Sequence, residues 1–189
     1  MKKITLLLCA LLFVGLSVSG MAADDYTIKK IDVSFADTPA YNVNPPAKQA
    51  RAKKWLQMEI TFESKVDFTE ELAFNYYVYF ADRLFVGKVE CVNIVKGRDL
   101  HVVAYMSPNA LASILRGKVI TASDLVNVSV TMNKPGVSAA LSTINWKPAR
   151  GAWWESLKQE PGYIVNKSET PFAPLAWDYY ESLKPASAR

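Results

Sequence analysis

The chain has 189 residues, of which 50% are hydrophobic and 12% aromatic, and its formal net charge is +4. This length is enough for one domain with a substantial core, and the apolar content excludes an intrinsically disordered protein. The small net charge gives no indication of nucleic-acid binding.

The first 23 residues are predicted to be a secretory signal peptide. Lys2 and Lys3 precede an apolar run over residues 4–14, and small residues follow as far as Ala22 and Ala23. The run is shorter than the roughly 20 residues that a membrane-spanning helix needs. We therefore expect cleavage after Ala22 or Ala23, export to the periplasm or to the outer membrane and cell surface, and no transmembrane span in the mature chain.

Removal of this leader changes the charge and the cysteine content. Without Lys2 and Lys3, 20 of the 22 basic residues remain against 18 acidic ones, a net charge of +2. Cys9 is lost as well, so Cys91 has no second cysteine with which to form an intrachain disulfide. Cys91 lies in an apolar run over residues 89–95 and is predicted to be a small buried core residue.

Apolar and polar residues alternate with a period of two in several segments, which predicts antiparallel strands with one core face and one solvent face. The alternation is clearest over residues 56–62 and 126–132. In the segment 26–35 the apolar phase shifts, which predicts a β-bulge near Lys29 and Lys30.

The middle of the chain predicts three more strands and one helix. The strands cover residues 72–80, 84–95 and 100–106, and a turn over residues 96–99 separates the last two. Ser107 is suited to cap a helix that begins with Pro108 and ends at Arg116 and Gly117.

After a turn at residues 134–136, the pattern predicts a weaker strand over residues 137–146. Residues 153–157 and 163–166 are predicted to form a hairpin around a turn at residues 160–162. The segments 39–54 and 168–189 stay unassigned because prolines interrupt them.

Eight or nine strands with one helix predict an all-β fold, namely an antiparallel β-sandwich of the immunoglobulin type. The predicted domain covers residues 24–189 and includes an extended C-terminal tail over residues 168–189. Since the disulfide of immunoglobulin domains is absent, packing alone must hold the sandwich together.

The sequence contains no recognisable catalytic, metal or phosphate-binding motif, so no cofactor is predicted. His101, the single histidine, lies in a predicted strand without a neighbour that would complete a nucleophilic triad, and we assign it a structural or surface role. A glycoside hydrolase needs only two carboxylates and remains a minor alternative. Its candidate residues are Glu70, Glu71, Glu155, Glu160 and Asp178.

Aromatic side chains are concentrated in the last third of the chain and are the candidate binding residues. Such rings stack on sugar faces or anchor protein interfaces, and the alternative is that they seal one end of the sandwich. Because neighbours on a strand point to opposite faces, we expect at least one ring of each adjacent pair to point outward. The candidates are Trp153, Trp154, Tyr163, Trp177, Tyr179 and Tyr180.

A basic run precedes the first clear strand and has two interpretations. Lys48, Arg51, Lys53 and Lys54 either form a solvated connection or attract an acidic glycan or an anionic surface.

The tail resembles a known protein family. Residues 163–175, YIVNKSETPFAPL, and Trp177-Asp178-Tyr179-Tyr180 are similar to a small family of exported proteins from mucin-degrading gut bacteria of the Akkermansia type. The resemblance implies an immunoglobulin-like fold and a link with outer-membrane, pilus-associated gene clusters. It implies no catalytic residue.

The leading hypothesis is a non-enzymatic exported binding or assembly module, associated with a pilus or the envelope. It would add to a protein partner, or to a copy of itself, through an exposed sheet edge. The alternative is a carbohydrate-binding module that recognises mucin glycans with the late aromatic residues.

Overall fold

The computed structural model describes residues 25–42, 51–121 and 123–185, so the predicted signal peptide and Lys48 lie outside the described residues. The described residues form one seven-stranded sheet in which all pairings except one are antiparallel. The strands are β1 (Tyr26–Asp37), β2 (Lys54–Phe80), β3 (Arg83–Met106), β4 (Leu125–Asn133), β5 (Ser142–Asn145), β6 (Gln159–Pro161) and β7 (Ile164–Asn166), with helix α1 (Pro108–Ile114) between β3 and β4.

Two long strands form the centre of the sheet, where the sequence predicts four shorter ones. Residues 56–62 and 72–80 belong to one strand, β2, and the predicted turn at residues 96–99 is wrong because β3 continues through it. The pairing of β2 with β3 is irregular between Phe62 and Phe68, where Ser64 pairs with Gly97. A Cβ at Gly97 would lie 2.7 Å from the end of the Leu100 side chain, so a larger residue there would require that side chain to move.

The irregularity divides the sheet into two half-sheets. The first contains β1, the start of β2, the end of β3 and β7, and the second contains the remaining parts of β2 and β3 with β4, β5 and β6. Both half-sheets contribute to one hydrophobic core, in which the rings of Phe62 and Phe74 lie 5.0 Å apart. The all-β fold with one helix is therefore confirmed, and two half-sheets over one core fit the predicted sandwich.

Predictions based on local signals agree with the structure. The register of β1 on β2 shifts between Ile28 and Lys30, which confirms the β-bulge. Ser107 caps α1 by accepting the N–H of Ala110 at 3.1 Å, and Arg116 and Gly117 adopt positive φ where the helix ends.

Two predictions for the later strands are wrong. The strand predicted over residues 137–146 is confined to β5, and residues 153–157 do not pair with residues 163–166. Instead Trp153–Ser156 is a 3₁₀ helix, while β6 and β7 pair with separate parts of β3. The reason is that β3 offers these short segments a long unpaired edge, which no local sequence signal reveals.

The core also contains Cys91, which is fully buried and is not in a disulfide. Its burial raises the pKa of the thiol well above the ordinary value, which leaves the unreactive protonated form at neutral pH. None of the helices in the described ranges is long and apolar enough to cross a membrane.

Candidate functional site

The six aromatic residues singled out from the sequence lie in three separate places. Trp153 and Trp154 cover the outer face of β2 and β4, Tyr163 lies beside β6, and the remaining three lie on the C-terminal tail. They therefore do not form one continuous binding face.

Trp153 and Trp154 seal the outer face of the second half-sheet. Trp154 stacks on Tyr77 with ring centroids 4.6 Å apart, and the Trp153 indole N–H donates to Ser129 Oγ at 2.7 Å. Because they lie on a 3₁₀ helix rather than a strand, both rings turn toward the sheet, and the expectation that one of this pair points outward is wrong. Ser129, which accepts the Trp153 N–H, is buried, and so is Thr131, so the face of β4 that was predicted to be solvated is covered at these positions.

Tyr163 belongs to a small cluster that fastens β6 to the start of β3. Its ring lies 4.7 Å from that of Phe85, and the Arg83 guanidinium lies over both rings. Arg83 also forms a two-pronged ion pair with Glu160 and holds the pKa of that carboxyl below its usual range. Both partners retain substantial solvent contact, so we assign this pair a positioning role.

The tail is fastened to the first half-sheet by a cluster that we call the latch, formed by Glu59, His101, Tyr179 and Tyr180. The hydroxyls of Tyr179 and Tyr180 donate to the two oxygens of Glu59 at 3.2 and 3.0 Å. His101 is buried beneath Tyr179, with ring centroids 4.0 Å apart, and its Nδ1 lies 3.3 Å from Glu59. Burial, together with the Glu59 charge, raises the pKa of both tyrosines, so their hydroxyls remain protonated donors.

The sequence interpretation missed Glu59 as a functional residue and gave His101 no partner. The available signal was the strand register: Glu59 and His101 come together because Thr61 pairs with His101 across β2 and β3. Their side chains share one face of two neighbouring strands. Alternation in the sequence predicts that face, but it does not predict the pairing.

Beyond the latch, residues 181–184 of the tail follow the edge of β3 from one half-sheet to the other. We call this segment the strap. The Glu181 N–H donates to the His101 carbonyl in one part of β3, and the Val92 N–H donates to the Ser182 carbonyl in the other. The Lys184 N–H donates to the Glu90 backbone carbonyl, and the Lys184 ammonium pairs with the Glu71 carboxylate at 2.7 Å. With β6 and β7, the strap covers the edge of β3 along most of its length.

The edge of β1 is different. Within the described ranges β1 has backbone pairing with β2 alone, and its other side approaches β5, where the Ile28 N–H donates to Ser142 Oγ at 3.0 Å. Lys30, Asp32, Ser34 and Asp37 along the rest of the strand are exposed. The lack of a second backbone partner among the described residues makes β1 the candidate edge for the assembly hypothesis.

Comparisons with known proteins agree with this architecture. A family model matches residues 18–187 of the chain, and the family is the Akkermansia-type family that the tail resembles. The chain belongs to this family. One of the matching solved structures, a protein from Akkermansia muciniphila, is 19% identical, with a TM-score of 0.71 over 85% of this chain and 93% of that chain. At this identity the likeness establishes the fold alone, and no curated protein sequence matches the chain.

For this family member, the carboxylates proposed for a hydrolase are dispersed: Glu70 and Glu71 are neighbours on β2, and the other three lie on later elements. Glu71 pairs with Lys184 and Glu160 with Arg83, while Glu70, Glu155 and Asp178 are exposed. No cluster of three metal-ligating side chains occurs in the part of the chain that the structure describes. The geometry supplies no reason to pair any two of these acids as catalysts.

Of the predicted basic run, Lys54 pairs with Asp37 at 2.8 Å and Lys53 donates to Asn109 at 3.4 Å. These two lysines therefore contact nearby elements at the start of β2.

Proposed function

We propose that this family member is an exported binding and assembly module that joins a pilus-associated or envelope structure by adding a partner's strand to β1. Proteins of its family are pilus-associated, which suggests protein interactions at the cell surface. The predicted signal peptide supports export through the inner membrane.

The observation that carries the proposal is the open edge of β1 beside a covered edge of β3. A strand edge presents unpaired N–H and C=O groups, and an extended segment of another chain can pair with them. The Thr38 N–H, just after β1, points toward the β2 side and donates to the Lys53 carbonyl. Because N–H directions alternate along a strand, the N–H groups of Phe35 and Val33 point to the open side, whereas that of Ser34 points to β2.

Charges along this edge restrict what can pair with it. Lys30 pairs with Asp32 at 2.7 Å, and Asp37 pairs with Lys54 at 2.8 Å. Charged side chains on edge strands discourage indiscriminate pairing, so a partner strand has to complement both signs. We therefore propose a specific protein partner or a second copy of this chain.

The proposal is tested by placing a photo-reactive amino acid at Ser34, at Lys88 beside the strap, and at Lys118 beyond α1, in cells that make the protein. All three positions are exposed. We expect a defined cross-linked protein, or a dimer of this chain, from position 34 alone. Equal products from all three positions, or no product from position 34, would contradict the proposal.

A further inference from the structure

The strap closes one side of a groove of about 720 Å³ that the proposed assembly surface does not use. The groove lies between β3 and the tail, and its lining includes Lys88, Val103, Lys167, Trp177, Tyr180 and Glu181. Two of the six aromatic residues predicted to bind a ligand therefore lie here, together with charged residues of both signs. Grooves with an apolar wall and a few placed polar groups are typical of small-ligand sites.

Lys167 is the unusual residue of this groove. Only 7% of it is exposed, and its ammonium donates to the Ala173 carbonyl at 2.9 Å. The rings of Trp177 and Tyr180 lie 5.8 and 5.3 Å from the ammonium, but none of the ion pairs of the described residues gives it a carboxylate partner. A buried cation without an anion is costly, and the burial lowers the pKa of this lysine.

Among the other lining charges, Glu181 has no partner in the ion pairs of the described residues, and burial raises the pKa of its carboxyl, which favours the neutral form. The remaining charges are engaged. Lys88 pairs with Glu90 at 2.6 Å and Lys184 with Glu71 at 2.7 Å. Glu169 accepts the N–H of Asn166 at 3.2 Å in a capping box. Lys167 is therefore the lining cation that has no carboxylate partner among the ion pairs of the described residues, and its ammonium has donors left for an anionic group that enters the groove.

Trp177 is presented to solvent at the rim. It is 74% exposed, whereas Trp153 and Trp154 are largely covered. The preceding residue, Ala176, adopts the left-handed conformation with φ of 48°, which is unfavourable for a residue with a side chain. This turn holds a flat indole face beside the groove, as stacking against a sugar ring requires.

We propose that the groove binds an acidic saccharide, with a sugar ring against Trp177 and its anionic group directed to the Lys167 ammonium. The cation explains why the ligand carries a negative charge, and the exposed indole explains why the ligand has a ring with an apolar face. A carboxylate and a sulfate share this chemistry. The inference is independent of the strand addition proposed for β1.

The test is a titration of the isotope-labelled mature protein, followed by nuclear magnetic resonance, with two matched pairs of sugars. The pairs are 3′-sialyllactose with lactose, and N-acetylglucosamine 6-sulfate with N-acetylglucosamine. We expect shifts confined to the groove and binding at least tenfold tighter for one acidic sugar than for its neutral counterpart. The pair that shows this difference identifies the anion as a carboxylate or a sulfate.

Three variants locate the site. Trp177→Ala should abolish measurable binding, and Lys167→Met, which keeps the length of the side chain, should remove the preference for the acidic sugar. Leu175→Ala, at another exposed apolar residue of the tail, is the control and should bind as the unmodified chain does.

The inference is overturned if neither acidic sugar shifts the groove resonances, or if the neutral sugars bind equally well. It is also overturned if Trp177→Ala binds as tightly as Leu175→Ala. If Lys167→Met does not fold, the salt dependence of binding to the unmodified chain replaces it, and binding that does not weaken with salt overturns the role of the cation. Val33→Pro in β1 should bind the sugar normally, which separates this result from that of the assembly test.

Discussion

The two long edges of the sheet differ in how the chain covers them. The edge of β3 is occupied by β6, the strap and β7, all of which come from the last part of the sequence. In the described ranges the edge of β1 has no backbone partner on its outer side. It approaches β5, where the Ile28 N–H donates to Ser142 Oγ, and exposed charged and polar side chains alternate with apolar ones along the strand. An open strand edge is prone to indiscriminate association. The covered edge of β3 therefore serves the stability of the fold, whereas the edge of β1 is available for an interaction.

Removal of the strap should have the largest effect on the difference between the two edges. Truncation after Ala176 deletes the latch tyrosines and three backbone hydrogen bonds to β3, each worth about 1 kcal/mol. We expect the free energy of unfolding, measured with urea, to fall by roughly 3 kcal/mol or more, since the latch hydrogen bonds are lost as well, and the shortened chain to self-associate through the uncovered edge.

The control is truncation after Pro185, which keeps the whole strap and should leave the unfolding midpoint unchanged. Equal stability of the two truncated chains would show that the strap does not hold the two half-sheets together.

A smaller effect is expected from the latch. Glu59→Gln removes the charge that accepts both tyrosine hydroxyls and contacts His101, so we expect a loss of about 1–2 kcal/mol in urea unfolding. Glu63→Gln, on the same strand, removes a surface pair with Lys29 and should change stability less. A larger loss of stability for Glu63→Gln would show that the contact of β2 with Lys29 of β1 stabilises the fold more than its contact with the tail does.

The smallest effect concerns the pH dependence of the strap. Burial raises the pKa of Glu181 and nearby His101 partly offsets this, so the folded chain holds that proton more tightly than the unfolded chain does. Its contribution to stability is therefore fully present below the unfolded pKa and is lost as the pH rises through the folded pKa. Relative to the unmodified chain, Glu181→Gln should gain stability between pH 4 and pH 7 in urea unfolding. A constant difference between the two proteins would contradict this assignment.

Features that depend on neighbouring residues could be predicted from the sequence. The bulge at Lys29 follows from a shift in apolar phase, and α1 follows from Ser107, Pro108 and Gly117. The secondary-structure pattern also predicted the all-β class, because alternation along a strand reports which side chains face a core.

Features that depend on distant partners could not be predicted. The hairpin prediction failed because residues 159–161 and 164–166 pair with β3 rather than with one another or with residues 153–157. The latch joins β2, β3 and the tail, so its recognition needed the strand register. Adjacent tryptophans were assumed to lie on a strand, and a 3₁₀ helix instead turns both toward the sheet.

Pairing of the outward-facing backbone of β1 with a partner is tested directly by two proline substitutions at neighbouring positions. Val33→Pro removes an N–H that points to the open side, where proline is tolerated, whereas Ser34→Pro removes one that pairs with β2. The measurement is the proportion of each variant that is found in material sheared from the cell surface. Thermal unfolding of each purified variant is followed in parallel to show whether it folds. Ser34→Lys, which adds a charge to the edge, is the second variant in case Val33→Pro does not fold.

We predict that Val33→Pro folds and is lost from the surface fraction, while Val33→Thr is retained and Ser34→Pro unfolds at a lower temperature than either. Retention of a folded Val33→Pro chain, or of Ser34→Lys if the proline variant does not fold, at the level of the unmodified protein would contradict strand addition at β1.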